Sequence, residues 1–288
     1  MSPNTTGALL MMASMASFTL NDTFIKLTDG QVPLPQLLFL RGLLSILLIV
    51  ILSRWLGAIH FDIARRDWGL IMVRSLAEVA TAYFFLTALF NMPLANVTAI
   101  LQMLPLSVAL AAALFFNEPL GWRRMVAILL GFTGMLLIVR PGGEGFSLWS
   151  VYAMLAVLCV TVRDLATRRL TPGVPSMTVT LMAALVVTVC FGAVSVTTVW
   201  VPVDPVVGAL IAGSSVAIIG GYFFSVLVMR VGEISFIAPF RYTGLVFALI
   251  LGFVVFGDWP ERLTLVGAGI VVATGIFTLY RERVVARR

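Results

Sequence analysis

Ten apolar stretches, each about as long as a membrane-crossing helix, follow one another along this 288-residue chain with only short polar breaks between them. They run over residues 7–27, 36–56, 68–91, 94–117, 122–140, 148–169, 176–200, 206–230, 233–257 and 262–281. A hydrocarbon core about 30 Å thick takes about 20 helical residues, whereas a membrane barrel would show alternating segments of about 10. The stretches therefore predict helices. Only 11% of the residues are charged and 60% are hydrophobic, against roughly 25% charged in a soluble domain. Too few polar side chains exist to cover a water-facing surface, so the expected class is an all-α integral membrane protein in a lipid bilayer. The longest break, 57–67, has no room for a soluble domain, and the only histidine, His60, reads as a solvated loop residue.

The net charge of +6 is a topology signal rather than a nucleic-acid footprint. With an inside N-terminus, twelve loop cations fall on one side (Arg54, Arg65, Arg66, Arg123, Arg124, Arg168, Arg169, Arg230, Arg281, Arg283, Arg287 and Arg288) against Lys26, Arg140 and Arg262 on the other. Basic residues accumulate in cytoplasmic loops, so both termini are expected in the cytoplasm of a cell whose inner membrane the chain spans. No Lys or Arg precedes the first stretch, which makes a cleaved signal peptide a poor reading. Nucleic acid is not an expected partner.

The halves of the chain repeat. Thr19, Asp22, Lys26 and Pro33 are matched 142 residues later by Thr161, Asp164, Arg168 and Pro175. Tyr83-Phe84-Phe85 returns 139 residues on as Tyr222-Phe223-Phe224, and a spacing of 140 sets Gln102 opposite Tyr242. Phe115, Pro119, Ala127, Thr133, Gly134 and Arg140 are matched at 141 by Phe256, Pro260, Ala268, Thr274, Gly275 and Arg281. The unit, 1–142 and then 143–288, holds five helices. An odd number forces the second copy to enter the membrane from the opposite face, giving inverted repeats about an axis in the membrane plane. Small residues in the fifth, eighth and tenth stretches (Gly131 and Gly134; Gly213, Ala217 and Gly221; Gly267 and Gly275) predict close helix packing.

The segment ALFNMPLANVTAILQMLPLSVALAAALFFNEPL, with Pro105 and Glu118, and the glycine-rich stretch after it resemble the drug/metabolite transporter superfamily, of the type with two tandem EamA units. Its weaker echo spans Val228–Gly275, and the likeness covers essentially the whole chain. Within the superfamily the chain looks most like the branch exporting aromatic and other amino acids. The resemblance implies ten helices around a central cavity, working by alternating access without ATP. The second unit departs from the pattern, with Leu245 where the first has Pro105 and Asp258 close to where Glu118 would map.

Ionisable groups in hydrocarbon are costly and so are functional candidates by default. Asp22/Lys26 and Asp164/Arg168 have the i, i+4 spacing of intrahelical ion pairs, either structural or closing the two mouths of a pathway. Arg74/Glu78 has the same spacing and reads as a locked bridge. An unpaired Glu78 would instead bind a substrate amino group or a coupling proton. Thr98, Gln102 and Pro105 share one helix face; Ser235, Pro239 and Tyr242 share another. Prolines there free backbone carbonyls, which membranes tolerate where they line a wet cavity or find a neighbour. Tyr83, Gln102, Tyr222 and Tyr242 are thus expected to line an uncharged, aromatic gap suited to a zwitterion with a bulky apolar side chain, with Thr98 and Ser215 as further polar contacts. Packing or an interfacial belt is the alternative for Tyr83 and Tyr222. Arg41, Arg163 and Arg241 break the repeat; Arg163 and Arg241 rank as substrate contacts, whereas Arg41, near its helix start, reads equally well as snorkelling to the interface.

No G-x-x-x-x-G-K-[ST], H-E-x-x-H or G-x-S-x-G motif occurs, and Cys159 and Cys190 sit inside apolar stretches where small residues fill helix interfaces. No enzyme activity, cofactor or metal is expected. The leading expectation is a monomeric carrier exporting amino acids and related metabolites. The rivals are a carrier of nucleotide-sugars or organic phosphates, a cation exporter centred on Glu78, and an assembly or lipid-handling membrane protein.

Overall fold

Prolines and short polar turns set where each helix begins. Asp204 Oδ1 accepts the Val206 N–H at 2.8 Å just ahead of a helix opening on Pro205, and Ser147 Oγ accepts the Trp149 N–H at 3.2 Å at another start. Both supply an acceptor to first-turn N–H groups that lack an intrahelical partner. Pro33, Pro93 and Pro175 immediately precede three further helices.

The computed structural model describes residues 3–56, 59–116, 121–140, 147–228, 231 and 237–286. In order these are α1 (Pro3–Leu27), α2 (Leu34–Leu56), α3 (Arg65–Asn91), α4 (Leu94–Leu101), α5 (Leu104–Phe116), α6 (Trp122–Val139), α7 (Leu148–Arg168), α8 (Ser176–Ser195), α9 (Pro205–Val228), a 3-10 turn (Ala238–Tyr242) running into α10 (Thr243–Phe256), and α11 (Arg262–Ala286). No strand occurs among the described residues. Among the described residues eight spans are long and apolar enough to cross a membrane, counting α4 with α5 and the 3-10 turn with α10; two shorter apolar helices, Met125–Val139 and Arg262–Thr278, complete the ten. Large apolar side chains such as Leu47, Leu129, Val216 and Val254 point outward, as lipid requires.

The fourth and ninth spans are both broken. Pro105 offers no N–H to Leu101, and the Leu106 N–H turns to Met103 O at 3.0 Å, so the helix opens at Gln102-Met103. In the ninth span the irregular turn holds Pro239 and ends at Tyr242, the position set opposite Gln102 by the 140-residue spacing.

The packing order carries the repeat. Numbering the spans in sequence, the first lies on the eighth (α1 on α9) and the sixth on the third (α7 on α3). The second packs on the seventh (α2 on α8), and the fifth on the tenth (α6 on α11). Exchanging each span with the one five later maps this set onto itself. The packing order is therefore the same read from either five-helix set.

Close approaches fall where small residues were expected. A Cβ on Gly134 would meet Gly267 O at 2.9 Å, so α6 and α11 touch backbone to backbone. Gly213 and Gly221 of α9 accept Phe24 and Phe18 of α1, and Ser14 Oγ donates to Gly221 O at 2.8 Å. The Glu118-Pro119 stop, Ser235 and the repeat boundary at 142/143 lie outside the described residues.

Candidate functional site

Four helices, α2, α3, α8 and α9, enclose a partly open cavity of about 620 Å³, mouth included. Its polar wall is built by Arg41 and Ser45 of α2, Arg74 and Glu78 of α3, and Tyr222 of α9. Its apolar wall comes from Ala183, Ala184 and Val187 of α8 with Ile218 and Ile219 of α9. The asymmetry follows from the repeat: Arg41 corresponds to Ala183, Arg74 to Gly213 and Glu78 to Ala217. The first half brings all the charges that line the cavity, and the second brings Tyr222 and Thr180 with small and aliphatic side chains.

The ionisable groups are linked across helices rather than along them. Arg163 of α7 reaches Glu78 Oε2 at 3.3 Å through Nη1, and Asp164 Oδ1 at 2.9 Å through both Nε and Nη2. Arg74 donates through Nε to Thr167 Oγ1 at 3.1 Å, while its buried Nη1 has no hydrogen-bond partner. The Arg41 side chain makes no hydrogen bond or ion pair with the described residues, although Tyr222, Asp22 and Glu78 are near enough to act on its charge. Of the three arginines (41, 74 and 163) and three carboxylates (22, 78 and 164) in this group, Arg41, Arg74 and Glu78 line the cavity. Among the described residues, the Arg41 guanidinium has no hydrogen-bond partner and Arg74 leaves Nη1 unengaged, whereas Arg163 engages all three of its nitrogens. Tyr222 is held edge-on against Phe18, ring centroids 5.4 Å apart.

Two expected intrahelical bridges are corrected by this network. Arg74 and Glu78 do not form a bridge; α3 lies along α7, and Arg163 and Thr167 on that helix take them instead. Asp22 and Lys26 do not pair either. Asp22 accepts the Asn21 amide at 2.9 Å. Lys26 Nζ donates to Leu89 O at 2.9 Å and Met92 O at 2.7 Å. The cause is Pro93: with no N–H, it leaves Leu89 O without its intrahelical donor at the end of α3. A cation meets that orphaned carbonyl at the negative end of the helix. In the second copy Asp164 is bound by Arg163, its chain neighbour.

The expected tyrosine-lined gap is also redistributed. Of its four members only Tyr222 lines the cavity. Tyr83 is 45% exposed and stacks with Phe84 and Tyr152, knitting α3 to α7 on the outer surface. Tyr242 is buried, its hydroxyl against Gly275 of α11, where a Cβ would collide with it. Gln102 turns its amide toward Gly244, and the buried Thr98 Oγ1 one turn earlier has no hydrogen-bond partner. Ser215 Oγ bonds Ile211 O at 3.0 Å and Arg41 O at 3.4 Å, joining α9 to α2 behind the cavity wall. Arg241 is exposed in the 3-10 turn. Arg41, for which snorkelling to the interface is an equal reading of the sequence, lines the cavity. Its signal in the sequence was the break in the repeat, an arginine where the other half has alanine.

Each end of the molecule carries a cation on an aromatic ring. Lys26 Nζ sits 5.5 Å from the Phe256 ring centre, and the Arg169 guanidinium 4.0 Å from that of Phe116. Phe115 and Phe256 are repeat equivalents, as are Lys26 and Arg168, so the second contact lies one residue on from the first.

Residues 5–140 match the model of the EamA-like transporter family. The chain is 24% identical over 96% of its length to an S-adenosylmethionine uptake transporter of Rickettsia conorii, of which it covers 94%. It is 25% identical to a pseudopaline exporter of Pseudomonas aeruginosa, with 96% of each chain covered. It is 26% identical to a riboflavin transporter of Vibrio cholerae, with 98% of this chain and 95% of that one covered. A solved crystal structure superposes with a TM-score of 0.68 at 18% identity, over 97% of this chain and 99% of the other, a likeness of fold.

Proposed function

We propose, for a multi-pass membrane protein whose residues 5–140 match the EamA-like transporter family, a carrier that moves small metabolites by alternating access. The relatives named above are all transporters. The solute sits in the cavity between α2, α3, α8 and α9, and the halves 1–142 and 143–288 rock around it to open either side in turn. The chain lies in the bacterial inner membrane as a monomer with both termini cytoplasmic, and it makes or breaks no covalent bond in its solute.

One observation carries the choice of solute: Arg41, Arg74 and Glu78 share one cavity with a set of small and aliphatic side chains. A solute with opposite charges at one end and an apolar body at the other fits without leaving a net charge in low dielectric, where an unpaired charge is costly. Amino acids with apolar or aromatic side chains are the simplest such solutes, and export is the favoured direction. The relatives' solutes are chemically diverse, and one of those proteins imports, so the solute is argued from the cavity rather than from kinship. The unengaged donors of Arg41 and Arg74 favour a second reading, anionic metabolites such as organic phosphates.

Counterflow in proteoliposomes separates the two. Amino acids exchanging while phosphorylated sugars and organic cations do not supports the first reading; the reverse selects a rival. A protein that moves no member of the panel is not a carrier of this kind. Flux with and without an imposed pH gradient decides whether protons are coupled.

A further inference from the structure

We infer that Arg41 is the anchor for the solute's carboxylate, so that this carrier requires a free carboxylate attached to an apolar body. The inference rests on the carrier reading and sharpens it.

Three features converge on Arg41. It lines the cavity and engages no described partner, whereas the nearby Arg163 is held between Glu78 and Asp164 and Arg74 gives its Nε to Thr167. A guanidinium presents a planar fork that receives both oxygens of a carboxylate, and an unengaged fork costs nothing to disengage. Secondly, its backbone is fixed. Ser215 reaches Arg41 O, and the adjacent Gly42 packs so closely on Thr188 of α8 that a Cβ would clash. The fork therefore departs from a rigid point. Thirdly, the repeat equivalent of Arg41, Ala183, lines the same cavity. A carboxylate on Arg41 thus directs the rest of the solute toward Ala183 and Ala184, where burial of apolar surface favours it.

The test uses the full chain in proteoliposomes loaded with labelled phenylalanine and challenged by phenylalanine, phenylalaninamide, 3-phenylpropanoate and glycine. On wild-type protein the amide, which keeps the ring and the amine but lacks the carboxylate, should compete roughly 10- to 100-fold more weakly, the range for a charge-assisted hydrogen bond. Glycine, which lacks the apolar body, should also compete weakly. Phenylpropanoate should compete better than the amide. Arg41→Gln should bring acid and amide to near-equal competition, and Arg41→Lys should keep part of the preference. Equal competition by acid and amide on wild-type protein overturns the inference with no variant needed. So does an Arg41→Gln protein that retains the wild-type preference. If phenylalanine is not carried, the same acid and amide comparison is made on whichever carboxylate solute is. Flux confined to solutes without a carboxylate overturns the inference and leaves the carrier reading intact; absence of any flux overturns both.

Discussion

Replacing Lys26 by methionine tests the argument that this lysine caps the end of α3. Methionine keeps the length of the apolar stem and removes the ammonium that donates to Leu89 O and Met92 O. Pro93 supplies no N–H to Leu89, and the Asn96 N–H is taken by Pro93 O, so neither carbonyl gains a backbone donor in exchange. A buried acceptor left unmade costs about 1–3 kcal/mol; two of them, with some relaxation of the turn, put the loss at about 2–4 kcal/mol. At about 2 °C per kcal/mol for a chain of this size, the variant should melt about 4–8 °C lower. The assay is thermal unfolding in detergent micelles followed by far-UV circular dichroism, with Lys26→Arg alongside. Arginine can reach both carbonyls with its fork and should lose less than half as much. A Lys26→Met protein melting within about 1 °C of wild type would show that the carbonyls are hydrated and that the capping argument is wrong.

Gly134→Leu should destabilise the α6–α11 crossing by about 1–3 kcal/mol or more, because the neighbour 2.9 Å away is the Gly267 backbone, which cannot turn aside; the same melt reads it. Arg163→Met should cost about 3–5 kcal/mol by stranding Glu78 and Asp164 without their counter-charge. Adding Glu78→Gln and Asp164→Asn should recover most of the folded yield in size-exclusion chromatography. Tyr83→Ala should leave counterflow unchanged, since that ring stacks on the outer face, whereas Tyr222→Ala should change the half-saturating solute concentration.

Much of the architecture was legible along the chain, because membrane helices announce themselves by local means. Every backbone polar group in hydrocarbon must be satisfied within its own helix, so the apolar stretches mapped onto spans one for one. Pro105 and Pro239 marked the two broken spans, and Gly134, Gly213, Gly221 and Gly267 marked close crossings. The repeat implied the exchange symmetry that the packing order displays. Arg41 was visible as a departure from that repeat, though its meaning was not.

What the sequence determined by itself was therefore the solvent, the succession of helices and the pairing of spans between the two halves. Only the tertiary structure decided which charge meets which. Spacing of i, i+4 offers Arg74 to Glu78 and Lys26 to Asp22, but that offer is one of several once helices pack. Thr167, Arg163 and the carbonyls at the end of α3 lie on other helices, and they win. In low dielectric a charge goes to the partners that best satisfy its donors and acceptors. Those partners come from segments tens of residues away, whose placement no local pattern encodes. The same packing turned Tyr83 outward, sealed Tyr242 against Gly275, and left Arg41 facing the cavity.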